Sequence, residues 1–276
     1  MNIIQDIEDI FLVDEEFSTI YNNIVDLGEK HAQKNNVAIL SLARNISSRC
    51  KYNLRKLRLI SELFAKSQVC IYENDSIDGT PELINEIIAQ PAYGNFKIYS
   101  EKIGTKSMPL SKSTTRTTNM ANARNKCYTM IEDVSSVDYI IIIDLDFIDF
   151  SIKGLMNSFG WLSTNPSISA ICGNSYIEIK NKKSSQYHNY DSFAFRLNYW
   201  NEINPLYWFP LFNLPIGSCP ISVFSGFGGC CIYRKQFYEP LYSGEDCEHV
   251  MLHKNLKNKY DNFKLFYNPS QIALMD

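Results

Sequence analysis

The stretch Tyr139-Ile140-Ile141-Ile142-Ile143-Asp144-Leu145-Asp146-Phe147 decides the fold. A short run of consecutive isoleucines bounded by polar residues predicts a buried β-strand. At its end stand two carboxylates one residue apart, which repel each other unless something positive lies between them. A divalent cation is the natural neutraliser. Hard oxygen ligands suit Mg²⁺ or Mn²⁺, and so sparse a set of protein ligands leaves coordination positions open for substrate phosphates. An acidic loop after an apolar strand explains the motif alone equally well, so its context has to decide.

Upstream, strands and helices alternate. VAILSL at 37–42 reads as a strand, followed by a helical segment with Leu54, Leu57, Ile60 and Phe64 on one face. QVCIYE at 68–73 is a second strand; the turn residues NDSIDG lead from it into a helix at about Thr80, with Pro81 in its first turn. FKIYSE at 96–101 is a third strand. A helix over about 117–132, with Met120, Ala123, Cys127 and Ile131 inward, then leads into the isoleucine strand. This alternation predicts an α/β fold with a mostly parallel sheet, whose ligands sit beyond the carboxyl ends of the strands. Polar clusters stand there: Ala43-Arg44-Asn45 after the first strand and Glu73-Asn74-Asp75-Ser76-Ile77-Asp78-Gly79-Thr80 after the second.

Downstream the pattern is less regular. It comprises a strand pair around SISAICGNSYIEI, an aromatic-rich stretch over 187–212, SGFGG before the strand CCIYR, and an acidic turn opening a last helix. Before the first strand, Ile3, Ile7, Ile10, Phe11 and Phe17 lie at mostly helical spacing, which predicts an amphipathic N-terminal helix within residues 3–27.

The 276 residues suffice for one enzyme-sized domain with a substantial core, and 45% hydrophobic against 21% charged residues excludes a disordered chain. A net charge of -3 gives no broad attraction for nucleic acid or anionic lipid, so phosphate must be handled locally. No apolar stretch reaches the roughly 20 residues of a membrane span, and the acidic N-terminus does not read as a secretory signal. The expectation is a cytoplasmic protein. Eight cysteines without a CxxC pair read as buried, reduced thiols, and they match no zinc pattern.

ENDSIDGT, the helix segment MANARN, the IIIIDLDF strand end, SGFGG and the late GEDCEH together resemble the GT-A glycosyltransferases, most nearly family-two-like and capsule-mannosyltransferase-like enzymes. The likeness spans roughly residues 37–269. It implies a single GT-A domain over 1–276: an N-terminal helical extension (1–36), a nucleotide-sugar-binding half (37–150) and an acceptor-side half (151–276). The implied reaction is metal-dependent transfer of a sugar from a UDP- or GDP-linked donor to a glycan or other hydroxyl acceptor.

Residue by residue, the resemblance implies Glu73 and Asp75 as base or ribose ligands, with Ala43 and Arg44 nearby. Arg124, then Arg116 and Asn119, would reach the diphosphate or donor sugar; a cation beside phosphates is also what electrostatics requires. Asp146 would ligate the metal, and Asp144 would contact ribose, donor sugar or, through water, the metal. His249 or His253 would complete the metal shell, although two histidines one helical turn apart also read as packing residues.

Inverting transfer needs a carboxylate to take the acceptor hydroxyl's proton while the metal stabilises the departing diphosphate. Asp246 is the first candidate base, with Glu245 and Glu248 as alternatives. The SGFGG run lacks the strand-before, helix-after context of a nucleotide fingerprint and fits close approach of an acceptor sugar to bare backbone. Trp208, between Pro205 and Pro210, is a candidate acceptor contact or lid residue. Two other readings compete: a haloacid-dehalogenase-like phosphatase using Asp144 and Asp146, and a carbohydrate-binding GT-A relative without turnover.

Overall fold

The computed structural model describes residues 6–106, 112–180, 185–201 and 212–276. Its strands are β1 (Asn36–Ala43), β2 (Lys66–Asn74), β3 (Phe96–Glu101), β4 (Tyr139–Ile143), β5 (Asp149–Phe150), β6 (Ala170–Lys180), β7 (Ser185–Asn189), β8 (Ile221–Val223), β9 (Cys230–Arg234) and β10 (Leu265–Met275). The helices are α1 (Ile7–Ile10), α2 (Ser18–Ala32), α3 (Cys50–Ser61), α4 (Thr80–Ile88), α5 (Thr114–Tyr128), α6 (Ile152–Thr164) and α7 (Glu248–Lys259).

All ten strands share one sheet in the order β3-β2-β1-β4-β9-β6-β10-β5, with β7 on β6 and β8 on β10. The first four are parallel; β9 runs antiparallel to both β4 and β6, and β10 is parallel to β6. The α/β, mostly parallel architecture is the expected one.

Burial on both faces explains why the central strands are continuously apolar. On one face Val37, Ile39, Val69, Ile71, Ile141 and Ile143 pack with Leu54 and Leu57 of α3 and with residues of α2 and α6. On the other, Ala38, Leu40, Cys70, Ile140 and Ile142 meet Ala121 and Cys127 of α5 and Leu252 and Leu256 of α7. Helices therefore sandwich the sheet. The polar residues at the strand ends cannot enter either apolar layer and are left at its edge.

Three expectations about the elements change. The N-terminal helix is broken into α1, a 3₁₀ turn at Glu15–Phe17 and α2. Phe11, just beyond α1, stacks on Tyr176 at 4.6 Å, and the Asp14 N–H donates to Ile216 O, so tertiary contacts divert the chain between the helices. Second, α5 starts at Thr114 and ends at Tyr128, capped by Ser113, whose hydroxyl accepts the Arg116 N–H.

Third, the sequence reading has no strand after the last helix, yet β10 runs for eleven residues there. Pro269 and the polar residues around it disguise the strand. They occupy an irregularity where the pairing to β6 shifts register between Tyr267 and Ile272. Asn268 there donates to Asn157 and Ser158, and Gln271 donates to Cys230 O, so these buried polar side chains have partners.

Helix α2 lies tightly on α6. A Cβ on Gly28 would fall 1.8 Å from Met156 O, and one on Gly160 would fall 2.0 Å from Ile24 O, so glycine is needed for this approach. Nearby, buried Asp149 accepts the Ile7 N–H, the Tyr52 hydroxyl and the Lys56 ammonium, which ties α1 and α3 to the sheet beneath the Asp144–Asp146 turn. Seven of the eight cysteines are buried and all are free; Cys219 is exposed, against the expectation of uniformly buried thiols.

Candidate active site

The chain leaves β4 through a hydrogen bond from the Asp144 N–H to Gly229 O at 3.0 Å. Asn53, fully buried on α3, donates to Leu145 O at 2.6 Å and to Phe147 O at 3.0 Å. These bonds fix the turn and leave Leu145 in the core while Asp144 and Asp146 face a cavity of about 300 Å³.

Arg124 organises this cavity. Its two Nη atoms donate to the two oxygens of Asp144 at 3.0 and 3.3 Å, and its Nε donates to Glu248 Oε1 at 3.2 Å. The guanidinium lies 4.9 Å from the Phe227 ring centroid, and the side chain is 3% exposed. Burial alone would favour its neutral form, but the charges of Asp144 and Glu248 prevail and hold it protonated. One arginine thus joins α5, the β4 end and the first residue of α7.

Asp146 has no side-chain partner among the described residues. It is reached by solvent from the cavity, yet the protein atoms crowding it and the charge of Asp144 push its carboxyl up to about 6. An added cation at this point would relieve that repulsion.

His249 also lines the cavity. Its ring stacks on Phe227 with centroids 3.7 Å apart, and neither ring nitrogen has a hydrogen-bond partner. Burial first, then the charge of Arg124, pushes it well below the usual histidine range, so it is a neutral imidazole with an unused lone pair. His253, one turn on, is a core residue: Nδ1 pairs with Ser225 Oγ at 2.9 Å and Nε2 with the Tyr233 hydroxyl at 2.7 Å. Both nitrogens are used.

The GEDCEH segment separates by position. Glu248 opens α7 into the cavity, while Glu245 is exposed and its carboxyl is lowered by the Ser243 hydroxyl. Asp246 does not line the cavity; it is held by Arg196, whose Nη2 donates to its oxygens at 3.3 and 3.2 Å. Arg196 is 1% exposed and also donates to the carbonyls of Phe193, Phe195 and Trp200.

The residues after β1 and β2 form a second network. Asp75, at φ +55°, accepts the N–H groups of Gly104 and Thr105 and the Thr105 hydroxyl; against the effect of burial, these bonds hold its carboxyl well below the usual range. Arg44 donates to the same Thr105, at Oγ1 and O. Glu73 is buried and accepts the Ser76 N–H and the Ser100 hydroxyl, and Ala43 is buried at the end of β1. The predicted residues therefore fall into two sets. Arg116, Arg124, Asp144, Asp146, Glu248 and His249 line the cavity; Ala43, Arg44, Glu73, Asp75, Glu245 and Asp246 do not.

No family model matches the chain, and no curated protein matches it. A mannosyltransferase from Pyrobaculum calidifontis, in complex with GDP-Man and Mn²⁺, superposes with a TM-score of 0.53 at 12% identity over 94% of this chain and 66% of that one. GalNAc-T7 with UDP, GalNAc and Mn²⁺ gives 0.52 at 12% identity, over 96% of this chain and 53% of that one. Glucosyl-3-phosphoglycerate synthase from Mycobacterium tuberculosis, with Mn²⁺, uridine-diphosphate and phosphoglyceric acid, gives 0.50 at 10% identity, over 91% and 74%.

The chain has the GT-A fold. It spans about two thirds of the length of the mannosyltransferase and about half that of GalNAc-T7. In this GT-A chain no group of three or more His, Cys, Asp or Glu side chains is assembled for a metal among the described residues. Asp146, which has no side-chain partner among the described residues, and His249, whose two ring nitrogens lack a hydrogen bond, line the same cavity. That donor chemistry fits a divalent cation whose remaining ligands come from substrate.

Several lining or supporting residues escape the sequence reading. Asp191 and Tyr190 lie in the turn after β7, Asn53 lies on α3, and Arg196 closes on Asp246. Asp191 and Tyr190 sit inside an aromatic-rich run with no motif around them. Trp208 lies outside the described residues. Gly228, at φ +58°, is used for packing: a Cβ there would meet Gly173 O at 2.2 Å. Gly229 lines the cavity with bare backbone. No helix of the described residues is long and apolar enough to cross a membrane.

Proposed function

We propose that the protein is a glycosyltransferase that moves a sugar from a nucleotide-diphosphate donor to a hydroxyl acceptor, with inversion at the anomeric carbon. The observation that carries this reading is Asp146, charge-crowded and without a side-chain partner among the described residues, beside the Arg124–Asp144–Glu248 cluster at the carboxyl end of a central strand of a GT-A sheet. Asp146 and His249 would hold Mn²⁺ or Mg²⁺, which when bound stabilises the negative charge that builds on the leaving diphosphate.

The chain's own residues divide the remaining work. Arg124 orients Asp144 through two hydrogen bonds, so that the lone pairs left on its oxygens can accept from ribose or sugar hydroxyls or from water on the metal. Arg116, on the cavity wall, supplies positive charge for the diphosphate. Ala43, Arg44, Glu73 and Asp75 shape the turns that would receive base and ribose. Because Arg44 and Asp75 both hold Thr105, they would act by fixing the loop after β3 at the edge of that pocket. The donor is UDP- or GDP-linked.

A phosphatase reading places a nucleophile at Asp144. Both of its oxygens accept from Arg124, whose positive charge lowers their nucleophilicity and disfavours attack. A binder without turnover would take up donor and cation but release no nucleoside diphosphate.

The test is a thermal-shift panel of nucleotide-diphosphate sugars with and without Mn²⁺. A donor at about 100 times its Kd stabilises the fold by about 2.7 kcal/mol. Mn²⁺-dependent stabilisation by one donor class, lost in Asp146→Ala, is the expected result. A panel in which no donor shifts the midpoint overturns the proposal.

A further inference from the structure

Sugar transfer by inversion needs one carboxylate that faces the cavity, is not neutralised by a cation, and is not the metal's ligand. Four carboxylates line the cavity: Asp144, Asp146, Asp191 and Glu248. Arg124 grips Asp144 through two bonds and Glu248 through a third. Asp146 is the metal's place under the reading above. The remaining one, Asp191, forms no ion pair among the described residues; Gly228 N–H donates to its Oδ2 at 3.0 Å. Asp246, the base expected from the helix motif, is bonded to Arg196 and lies off the cavity wall.

We infer that Asp191 is the catalytic carboxylate that takes the proton from the acceptor hydroxyl, a role that rests on the transferase reading. The acceptor O–H bond breaks, and its proton moves to the Asp191 carboxylate. The acceptor oxygen bonds to the anomeric carbon as the bond from that carbon to the diphosphate oxygen breaks. The electron pair leaves on the nucleoside diphosphate, and the proton is afterwards released to solvent.

The surroundings of Asp191 suit this task. Its backbone is left-handed, at φ 68°, which costs a non-glycine residue free energy; Asp and Asn bear this conformation better than most. The turn is closed by the Ala194 N–H donating to Asp191 O, so the side chain has a set direction. Tyr190 and Phe193, on either side along the cavity wall, offer aromatic faces of the kind sugar rings pack against. Burial, with the charges of Glu248 and Asp144 nearby, pushes the Asp191 carboxyl up to about 7, where a general base is effective near neutral pH. Cys172 and Cys247, which also feel its charge, are buried thiols pushed well above their ordinary range and so remain neutral.

Asp191→Asn separates chemistry from structure. Asparagine tolerates the left-handed turn and can still accept the Gly228 N–H, but it cannot take a proton. Release of nucleoside diphosphate is measured from GDP-Man, UDP-GlcNAc and UDP-Glc with Mn²⁺, with water as acceptor and then with azide. Azide attacks the anomeric carbon without a proton to lose.

In Asp191→Asn, release to water should fall by roughly 100-fold or more. Release with azide should stay within about threefold of the wild-type value, and donor-induced thermal shifts should be unchanged. Three results overturn the assignment: release to water within about threefold of wild type, an equal loss with water and azide, or a wild-type protein that binds a donor yet releases no diphosphate. Absence of donor binding in the wild-type protein is a different failure, because it sinks the transferase reading itself.

Discussion

Arg124→Met tests the electrostatic centre of the molecule. The wild-type side chain is 3% exposed and neutralises two carboxylates, Asp144 at 22% and Glu248 at 6% exposure. Methionine fills most of its volume between Phe227 and Tyr242 and supplies no charge. Glu248 then loses its cationic partner and keeps only the Cys247 thiol and the neutral His249 ring beside it, near Asp144, Asp146 and Asp191. Removing one member of a buried pair costs about 3–5 kcal/mol. At about 2 °C per kcal/mol for a chain of this length, the midpoint of thermal unfolding should fall by roughly 6–10 °C.

Two further readouts mark the cause as charge and not packing. Mn²⁺ should raise the midpoint of Arg124→Met more than that of the wild type, because a cation in the cavity takes over part of the neutralisation. Adding Glu248→Gln to Arg124→Met should recover part of the loss, a coupling that a double-mutant cycle measures directly. A fall below about 2 °C, or strict additivity of the two substitutions, would refute the reasoning.

Four other outcomes are expected. In Asp146→Asn, Mn²⁺ titrated alone should lose its stabilising effect while the fold is retained, as read by differential scanning fluorimetry; a wild-type-like shift argues against Asp146 as a ligand. Arg196→Met should cost about 3–5 kcal/mol in denaturant unfolding, and Asp246→Asn only about 1–3 kcal/mol, because Arg196 also satisfies three backbone carbonyls and Asp246 is one third exposed. Burial holds His253 neutral, down to about 3, so protons bind the unfolded state preferentially between about pH 6.5 and 3; this contribution is complete above pH 6.5 and is lost as pH falls. The stability gap between wild type and His253→Phe should therefore shrink from pH 7 to pH 4, and a constant gap contradicts it. Gly228→Ala should destabilise strongly, since its Cβ would meet Gly173 O at 2.2 Å; an unfolding midpoint within about 2 °C of wild type would show that the β6–β9 junction yields.

The first half of the fold is legible because its signals are local. β1, β2 and β4 each contain a short apolar run, β3 alternates Phe96 and Ile98 with polar residues, and α3 shows its buried face at helical spacing in Leu54, Leu57 and Ile60. The strand of Cys230–Arg234 is equally plain. β10 is not, because Pro269 and the polar residues beside it resemble a loop until Asn157, Ser158 and Cys230 supply partners from elsewhere in the chain. The broken N-terminal helix is obscured for the same reason, as its break follows contacts to Tyr176 and Ile216.

The candidate site divides along the same line. Asp144 and Asp146 stand out because two carboxylates at a strand end are costly without a cation, and that cost is written in adjacent residues. Asp246 and Glu248 look equivalent in GEDCEH; two arginines distant in sequence separate them, Arg196 taking one and Arg124 the other. His249 and His253 look alike as well, until Ser225 and Tyr233 occupy one and leave the other bare.

The amino-acid order alone therefore determines the layered sheet, its direction and the edge at which chemistry collects, since hydrophobic period and charge repulsion act over a few residues. Which carboxylate is neutralised, which imidazole keeps a lone pair and which acid faces the cavity unpaired were decided only by the tertiary structure. A charge in a protein takes its properties from whatever lies within a few ångströms, and in this chain those neighbours come from segments tens of residues to more than a hundred residues away.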